Sequence, residues 1–301
     1  MACVSADAWW DLSTSWTDWH TLVTGSDPTG PAAPLLVVDG DSLAHRAYHA
    51  LPKSIRHNAV VGFTNMLTRL WEMEEPRAVF VGWDTLTVPT YRHEAFAGYQ
   101  AGRVFDESLL EQLDMLPELV HALGFAAAKE AGYEADDFLA AAVRSEEADG
   151  GHAVVVTSDR DSFQLVSDQT TVITPVRGVS ELARIGPAEV RERYGVEPEQ
   201  VPDFIALRGD PSDKLPGAPG VGPKKAASLL AQYGSLDALL EAGRFPQNRE
   251  DLLLYRRIAT LDASAPLPPL SDQSPTWAEA SSLLRSWGLN QSADRLAGRT
   301  D

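Results

Sequence analysis

Three short apolar runs, far apart in the chain, each lead into aspartate. LLVVDGD brings the first to Asp39, AVFVGWD the second to Asp84, and AVVVTSDRD the third to Asp159 and Asp161. Short valine-rich runs bounded by turn residues fit strands buried on both faces. Segments of helical periodicity lie between them, as at 63–71 and 109–123. Alternation of strand and helix predicts a mostly parallel sheet covered by helices. Beyond Pro187 no strong strand candidate follows, and helices are predicted over 188–194, 224–233, 251–261 and 277–287. The expected fold class is α/β, with a sheet domain over 35–186 and a smaller helical domain over 187–301. No internal repeat is visible.

Residues 1–34 read as an extension, expected to be flexible. Four of the eight tryptophans stand there without a clear period, and the segment ends in the linker-like GSDPTGPAAP. Two origins stay open, a flexible arm or sequence upstream of the true start. The stretch has neither the basic start nor the continuous apolar core of a signal peptide. No apolar run approaches the ~18 residues that span a bilayer, so no membrane partner and a cytoplasmic location are expected. The single cysteine, Cys3, excludes a disulfide framework and a cysteine zinc site.

In an open α/β sheet, ligands bind at the carboxyl ends of the strands. Aspartate is common in the turns there, and any one of these acids needs no other role. Three unrelated segments aiming acids at one crevice strain that explanation. A denser group, Glu134, Asp136 and Asp137 in GYEADDFLAAAV, falls in the first turn of a predicted helix. First-turn acids complement the helix dipole, but three in four residues exceed that need. Asp210 and Asp213 in RGDPSDK form a fifth cluster, which alone reads as a plain turn. Two like charges ~4 Å apart repel by about 4 kcal/mol at an effective dielectric of about 20. If these groups converge, their pKa values must rise or cations must sit among them. Oxygen ligands without cysteine favour Mg or Mn, and two such ions suit phosphodiester hydrolysis.

The net charge of −18 argues at first against a nucleic-acid partner, which usually meets a basic surface. The objection weakens if the acids are gathered to hold metal. The run LPGAPGVGPKKAASLL fails the Walker pattern, because Pro223 and Lys224 follow Gly222 and no apolar strand precedes it. It fits better as a tight turn between helices, with Gly217, Gly220 and Gly222 presenting backbone N–H groups and a helix N-terminus to a DNA phosphate. Lys224 and Lys225, two of only five lysines, add charge there. An ordinary glycine-capped turn is the plainer alternative. The stretch YRHEAFAGYQAGR holds Arg92, His93, Tyr99 and Arg103, a mixture suited to single-stranded DNA, or equally to a polar helix face. His45 and His49 stand one helical turn apart, but no third ligand and no HEXXH glutamate accompany them, so zinc is not expected.

The motifs VVDGDSLAHRAYHAL, RHEAFAGYQAGR, GYEADD, TSDRD, RGDPSDKLPG and GVGPKKA occur in one order and spacing. From about Leu35 to the C-terminus the chain thereby resembles the 5′-nuclease domain of bacterial DNA polymerase I and its stand-alone relatives. The resemblance implies a PIN-like nuclease domain with an arch region at about 85–125. It also implies a helix–three-turn–helix DNA-binding domain with its glycine hairpin at 216–226. The implied activity is two-metal cleavage of DNA at 5′ flaps, nicks and junctions, in replication or repair. By the same resemblance Asp39, Asp84, Glu134, Asp136 and Asp137 match a tighter metal cluster, and Asp159, Asp161, Asp210 and Asp213 a second. Arg46 and Arg103 match arginines near the active site and in the arch, and Arg92, Tyr99 and Gln100 fall in the DNA-facing motif. The hairpin is implied to bind potassium through carbonyls. A separate DNA polymerase is the implied partner, with nucleoid association during work on DNA.

Three positions depart from the family pattern. Gln100 stands where lysine is usual, Lys214 where asparagine or glycine is frequent, and Lys225 where threonine is usual. Two other readings stay in play: a catalytically slow junction-binding protein, with Gln100 as its symptom, and a PIN-type ribonuclease, which the complete second cluster and the glycine hairpin disfavour.

Overall fold

Alternate residues of the first apolar run face opposite cores. Leu35 and Val37 pack on one side, Leu36 and Val38 on the other, and all four are fully buried. This two-sided burial is why the strands read as continuous apolar runs. The computed structural model describes residues 33–86, 88–102, 104–177 and 181–299. Most of the N-terminal segment, and Arg103, therefore lie outside the described residues.

Among the described residues, six strands form one sheet: β1 (Leu35–Asp39), β2 (Ala78–Gly82), β3 (Ala126–Ala128), β4 (Ala153–Val156), β5 (Thr170–Arg177) and β6 (Glu181–Ile185). Their order is β3-β2-β1-β4-β5-β6, parallel from β3 to β5, with β6 antiparallel at the edge. The chain winds outward from β1 to β3 and then returns to β4 on the other side of β1. The switch point lies between β1 and β4, where the crevice of such a sheet opens. Val38 pairs with both Val81 and Val156, so the three expected strands end level and their acids emerge together.

Three of these strands are the expected apolar runs, and the other three carry no such signal. β3 is three alanines, a residue that favours helix over strand. β5 contains Pro175, which argues against a central strand. Its pairing with β4 ends at Ile173, and Pro175 sits where the β5–β6 register shifts at a bulge, so no β4 ladder bond needs its N–H.

The helices are α1 (Gly40–Ala50), α2 (Asn58–Glu74), α3 (Tyr91–Ala95), α4 (Glu107–Ala122), α5 (Ala135–Ala148), α6 (Pro187–Tyr194), α7 (Val201–Arg208), α8 (Pro223–Tyr233), α9 (Leu236–Glu241), α10 (Arg249–Ala259), α11 (Trp277–Ser286) and α12 (Asn290–Ala297). The buried residues of α5 to α10 share the core on one face of the sheet. Those of α1, α2 and α4 share the other face with α11 and α12. The helices beyond residue 187 are thus divided between the two faces rather than gathered in one bundle. The crossing segment is held at Arg77, whose carbonyl accepts from Gln273 N–H and whose guanidinium donates to the Leu270 carbonyl. Trp277 then meets Trp71 edge-on. No described helix is long and apolar enough to cross a membrane.

Candidate metal centre and nucleic-acid interface

Asp39 closes β1 and caps α1. Its Oδ1 accepts the Ser42 N–H at 2.9 Å, and its Oδ2 accepts the Thr157 hydroxyl at 2.7 Å, across the switch point. Asp84 follows β2 and accepts the N–H of Ala135, the first residue of α5, at 2.7 Å. Glu134 is the N-cap of α5. Its two oxygens take the hydroxyls of Thr90 and Tyr99 at 2.7 and 2.8 Å. Asp136 stands in the first turn of α5, facing the same cleft. Strand ends and a helix N-terminus thus supply four carboxylates from three separate segments.

Asp159 and Asp161 follow β4, and the Asp161 N–H donates to Asp159 Oδ1 at 3.0 Å. Asp210 and Asp213 lie in the loop after α7, which is closed by reciprocal backbone bonds between Asp210 and Leu215. Asp210 also accepts from the Ser212 hydroxyl and from Arg208. All eight of these acids line one cleft of about 990 Å³. Burial pushes Asp39 up to about 7, with the charges of Asp84 and Asp159 adding to it. Burial likewise holds Asp136 well above the usual carboxylate range, reinforced by Asp159, Asp39 and Asp84. Asp161 is raised in the same way, and Asp213 reaches about 6. Among the described residues, no three of these side chains stand close enough together as placed to hold a metal ion between them. The acids stand around an open cleft whose mutual repulsion favours cations.

The structure corrects several expected roles. Asp137 is wholly buried and turned away from the cleft. It accepts two bonds from Arg92, at 2.8 and 2.7 Å, and the N–H groups of Glu134 and Asp262 at 3.1 and 2.8 Å. Four donors occupy its oxygens, so it is a structural anchor and not a metal ligand. The cause is its place at the third helical position, where a side chain folds back over the N-terminus. Arg92 borders the cleft, but it is 2% exposed and its guanidinium is committed to Asp137 and the Ile258 carbonyl, a structural role in place of the expected DNA contact. Tyr99 is 4% exposed, with its ring edge-on to His93. It positions Glu134 and offers no face for base stacking. Arg46 donates to the Val176 carbonyl at 2.8 Å and lines a shallow depression beside the cleft, with Ser42, His45 and Ser158. Gln100 does line the cleft, donating to Tyr99 Oη at 2.9 Å and to Asp213 at 3.2 Å.

One further acid of the cleft is not apparent from the sequence. Asp41, two residues beyond Asp39 and 8% exposed, accepts the Asp84 N–H at 2.7 Å from within the cleft. Its signal is the second aspartate of VVDGD, which passes for a turn residue. Thr90 and Thr157, which orient Glu134 and Asp39, carry no sequence signal of their own.

The glycine run forms the expected turn into α8. Gly217 and Gly220 have φ of 73° and 68°, and Gly222 is the N-cap. Gly217 has a second constraint: a Cβ there would lie 2.4 Å from the backbone nitrogen of Gly209. The turn therefore packs directly on the segment that carries Asp210. Gly220, Gly222, Lys224 and Lys225 are exposed, and a Cβ on Gly222 would meet nothing within 4 Å.

Comparisons with known proteins agree with this architecture. The family described as 5′-3′ exonuclease, N-terminal resolvase-like domain, matches residues 34–195, and the 5′-3′ exonuclease C-terminal SAM fold matches 196–279. DNA polymerase I of Mycobacterium leprae is 46% identical over 215 residues, covering 69% of this chain and 24% of the relative. DNA polymerase I of Deinococcus radiodurans is 43% identical over 222 residues, covering 72% and 22%. The chain thus spans about a quarter of the length of the curated relatives it matches. The zinc-bound T5 5′-exonuclease shares the fold at a TM-score of 0.66 and 19% identity, over 88% of this chain and 98% of that one. The catalytic core of Rad2 in complex with DNA substrate does so at 0.58 and 16%, over 89% and 93%. Sheet order, converging acids, glycine turn and both matched segments lead to one assignment: the chain belongs to the 5′-3′ exonuclease family.

Proposed function

We propose that this chain is a divalent-metal-dependent 5′-3′ exonuclease and flap endonuclease acting on DNA in replication or repair. The observation that carries the reading is the convergence of two carboxylate groups, from five segments, on one cleft beside the glycine turn. The donor set is all oxygen, and burial with like charge raises several of its members, which fits hard divalent cations, Mg or Mn. Asp39, Asp84, Glu134 and Asp136 would hold one, and Asp159, Asp161, Asp210 and Asp213 another. Such cations supply Lewis-acid charge and lower the pKa of water for phosphodiester hydrolysis. Thr157, Ser42, Thr90 and Tyr99 fix the carboxylate orientations. Gly220, Gly222, Lys224 and Lys225 offer N–H groups and charge to the duplex backbone, and carbonyls of the turn would take potassium.

Several relatives support this reading by what they are: a T5 flap endonuclease complexed with DNA and metal ions, Rad2 on DNA substrate, and DNA polymerase I. We take the partners to be flapped, nicked or junction DNA and a DNA polymerase, and the place of action to be the cytoplasm at the nucleoid. One observation favours a second reading. The neutral amide of Gln100 contributes no cation beside the acids, as suits a slow junction-binding protein.

The test is cleavage of a 5′-labelled flap and a matched single strand with Mg, Mn or EDTA, beside Asp136→Ala. Metal-dependent cutting near the flap base, lost in the variant, supports the nuclease. Tight flap binding without cutting in either metal supports the second reading.

A further inference from the structure

Gln100 lies in the segment between α3 and α4, yet its side chain reaches the second carboxylate group directly and the first through Tyr99. Its Nε2 donates to Tyr99 Oη at 2.9 Å and to Asp213 Oδ1 at 3.2 Å. The Tyr99 hydroxyl donates in turn to Glu134 Oε2 at 2.8 Å, and Thr90 donates to the other oxygen of Glu134 at 2.7 Å. Each proton in this series has one direction. Tyr99 has a single O–H, given to Glu134, so its oxygen is left to accept. Tyr99 Oη and Asp213 are therefore both acceptors to the amide, which has two N–H groups to offer them. Backbone conformation adds to the picture: Gln100 has φ of 47°, in the left-handed region that a non-glycine residue rarely adopts without a compensating interaction.

Resting on the metal-centre reading above, we infer that Gln100 is a positioning residue that couples the two carboxylate clusters, so that divalent cations fill them cooperatively. Glu134 belongs to the first cluster and Asp213 to the second. Ordering Glu134 around a cation fixes Tyr99, then the amide, then Asp213. The second cation thus meets a carboxylate already oriented, and the ordering cost is met once for both ions. The amide does this without charge of its own, so both clusters keep their full attraction for cations.

The experiment is Mn²⁺ uptake by the full chain without DNA, followed by titration calorimetry and by the free-ion signal in electron paramagnetic resonance. Wild-type protein should give a sigmoidal isotherm. Gln100→Ala, which removes the bridge, and Tyr99→Phe, which removes the proton to Glu134, should each give two independent classes of site. The weaker class should lose roughly tenfold in affinity, the order of a typical coupling between sites. Gln100→Lys keeps a donor, and should retain sigmoidal uptake at lower overall affinity because it adds a cation to the cleft. Melting curves establish that the variants are folded. An isotherm of Gln100→Ala that superimposes on a cooperative wild type overturns the coupling and leaves the metal centre standing. A wild type that takes up no Mn²⁺ overturns the metal centre and the coupling with it.

Discussion

The guanidinium of Arg92 holds the carboxylate of Asp137 through two parallel bonds of 2.7 and 2.8 Å, with both side chains essentially out of solvent. The same guanidinium reaches the Ile258 carbonyl at the end of α10, and Asp137 reaches the Asp262 N–H just beyond it. The pair joins the first turn of α5, which carries Glu134 and Asp136, to the segment that leaves α10. Removing one partner of such a pair strands a buried charge, at a cost of roughly 3–5 kcal/mol. Arg92→Ala should therefore lower unfolding stability by that amount in urea titrations. The double change Arg92→Met with Asp137→Leu should recover much of the loss, because the carboxylate is no longer left unpaired. A variant Arg92→Ala of unchanged stability, with only DNA affinity reduced, would restore the DNA-contact role that the structure denies it.

The raised carboxyls set a pH dependence for the metal-free protein. Asp39 stands at about 7 and Asp213 at about 6, both chiefly through burial, against about 3.9 for an aspartate in the unfolded chain. Between those limits the folded state binds more protons than the unfolded one, so stability falls as pH rises. The contribution is complete below about pH 4 and gone once pH passes the folded values. Protein treated with EDTA should lose several degrees of melting temperature between pH 5 and pH 8. Mg or Mn should restore more at pH 8 than at pH 5, where protons already neutralise the site. A melting temperature that rises steadily across this range without metal would contradict the assignment of these acids to one crowded cleft.

Asp41 gives a sharper test of positioning within the first cluster. Its carboxylate accepts the Asp84 N–H at 2.7 Å, and burial followed by the charge of Asp84 holds it well above its ordinary range. Asparagine can accept the same bond without the charge, whereas alanine cannot. Asp41→Ala should lose roughly tenfold or more in cleavage rate, as expected when a supporting group of a site is removed. Asp41→Asn should lose less, and should stabilise the metal-free protein at pH 8 by relieving repulsion. Equal losses in the two variants would mean that the charge, rather than the hold on Asp84, is what matters.

What can be read from the sequence follows the length scale of each signal. The acids after β1, β2 and β4 are legible because each follows a run buried on both faces, and parallel register then brings the strand ends level. Side-chain direction within a single helical turn is not legible. Asp136 and Asp137 are neighbours in sequence, yet the first faces the cleft and the second folds back onto Arg92. The basic and aromatic stretch at 91–103 reads as a DNA surface or a polar helix face, because composition does not record burial. Arg92 and Tyr99 are instead spent on Asp137 and Glu134. β3 is hidden by alanine, whose helical preference the sheet overrides, and β5 by Pro175, which the sheet accommodates beyond the last β4 pair. The packing of α11 and α12 on the far face depends on the crossing at Arg77, where the bonded groups stand nearly two hundred residues apart in the chain.

The glycine turn separates folding from binding at neighbouring positions. Gly217 has φ of 73° and no room, since a Cβ would lie 2.4 Å from Gly209 N, whereas Gly222 has ordinary φ and open space around it. Gly217→Ala should destabilise the protein by about 1–3 kcal/mol through strain and overpacking. Gly222→Ala should melt close to wild type, yet place a methyl group before the α8 N-terminus, where a phosphate would approach. Its binding to a catalytically silent flap complex in EDTA should weaken several-fold. In the same assay, the Lys224→Ala and Lys225→Ala double variant should weaken binding and reduce the slope of log affinity against log salt by roughly 2, one for each phosphate that a lysine no longer neutralises. Unchanged slope in the double variant, with Gly222→Ala binding as tightly as wild type, would mean that DNA does not approach this face, and the duplex grip would have to be sought elsewhere on the helical region.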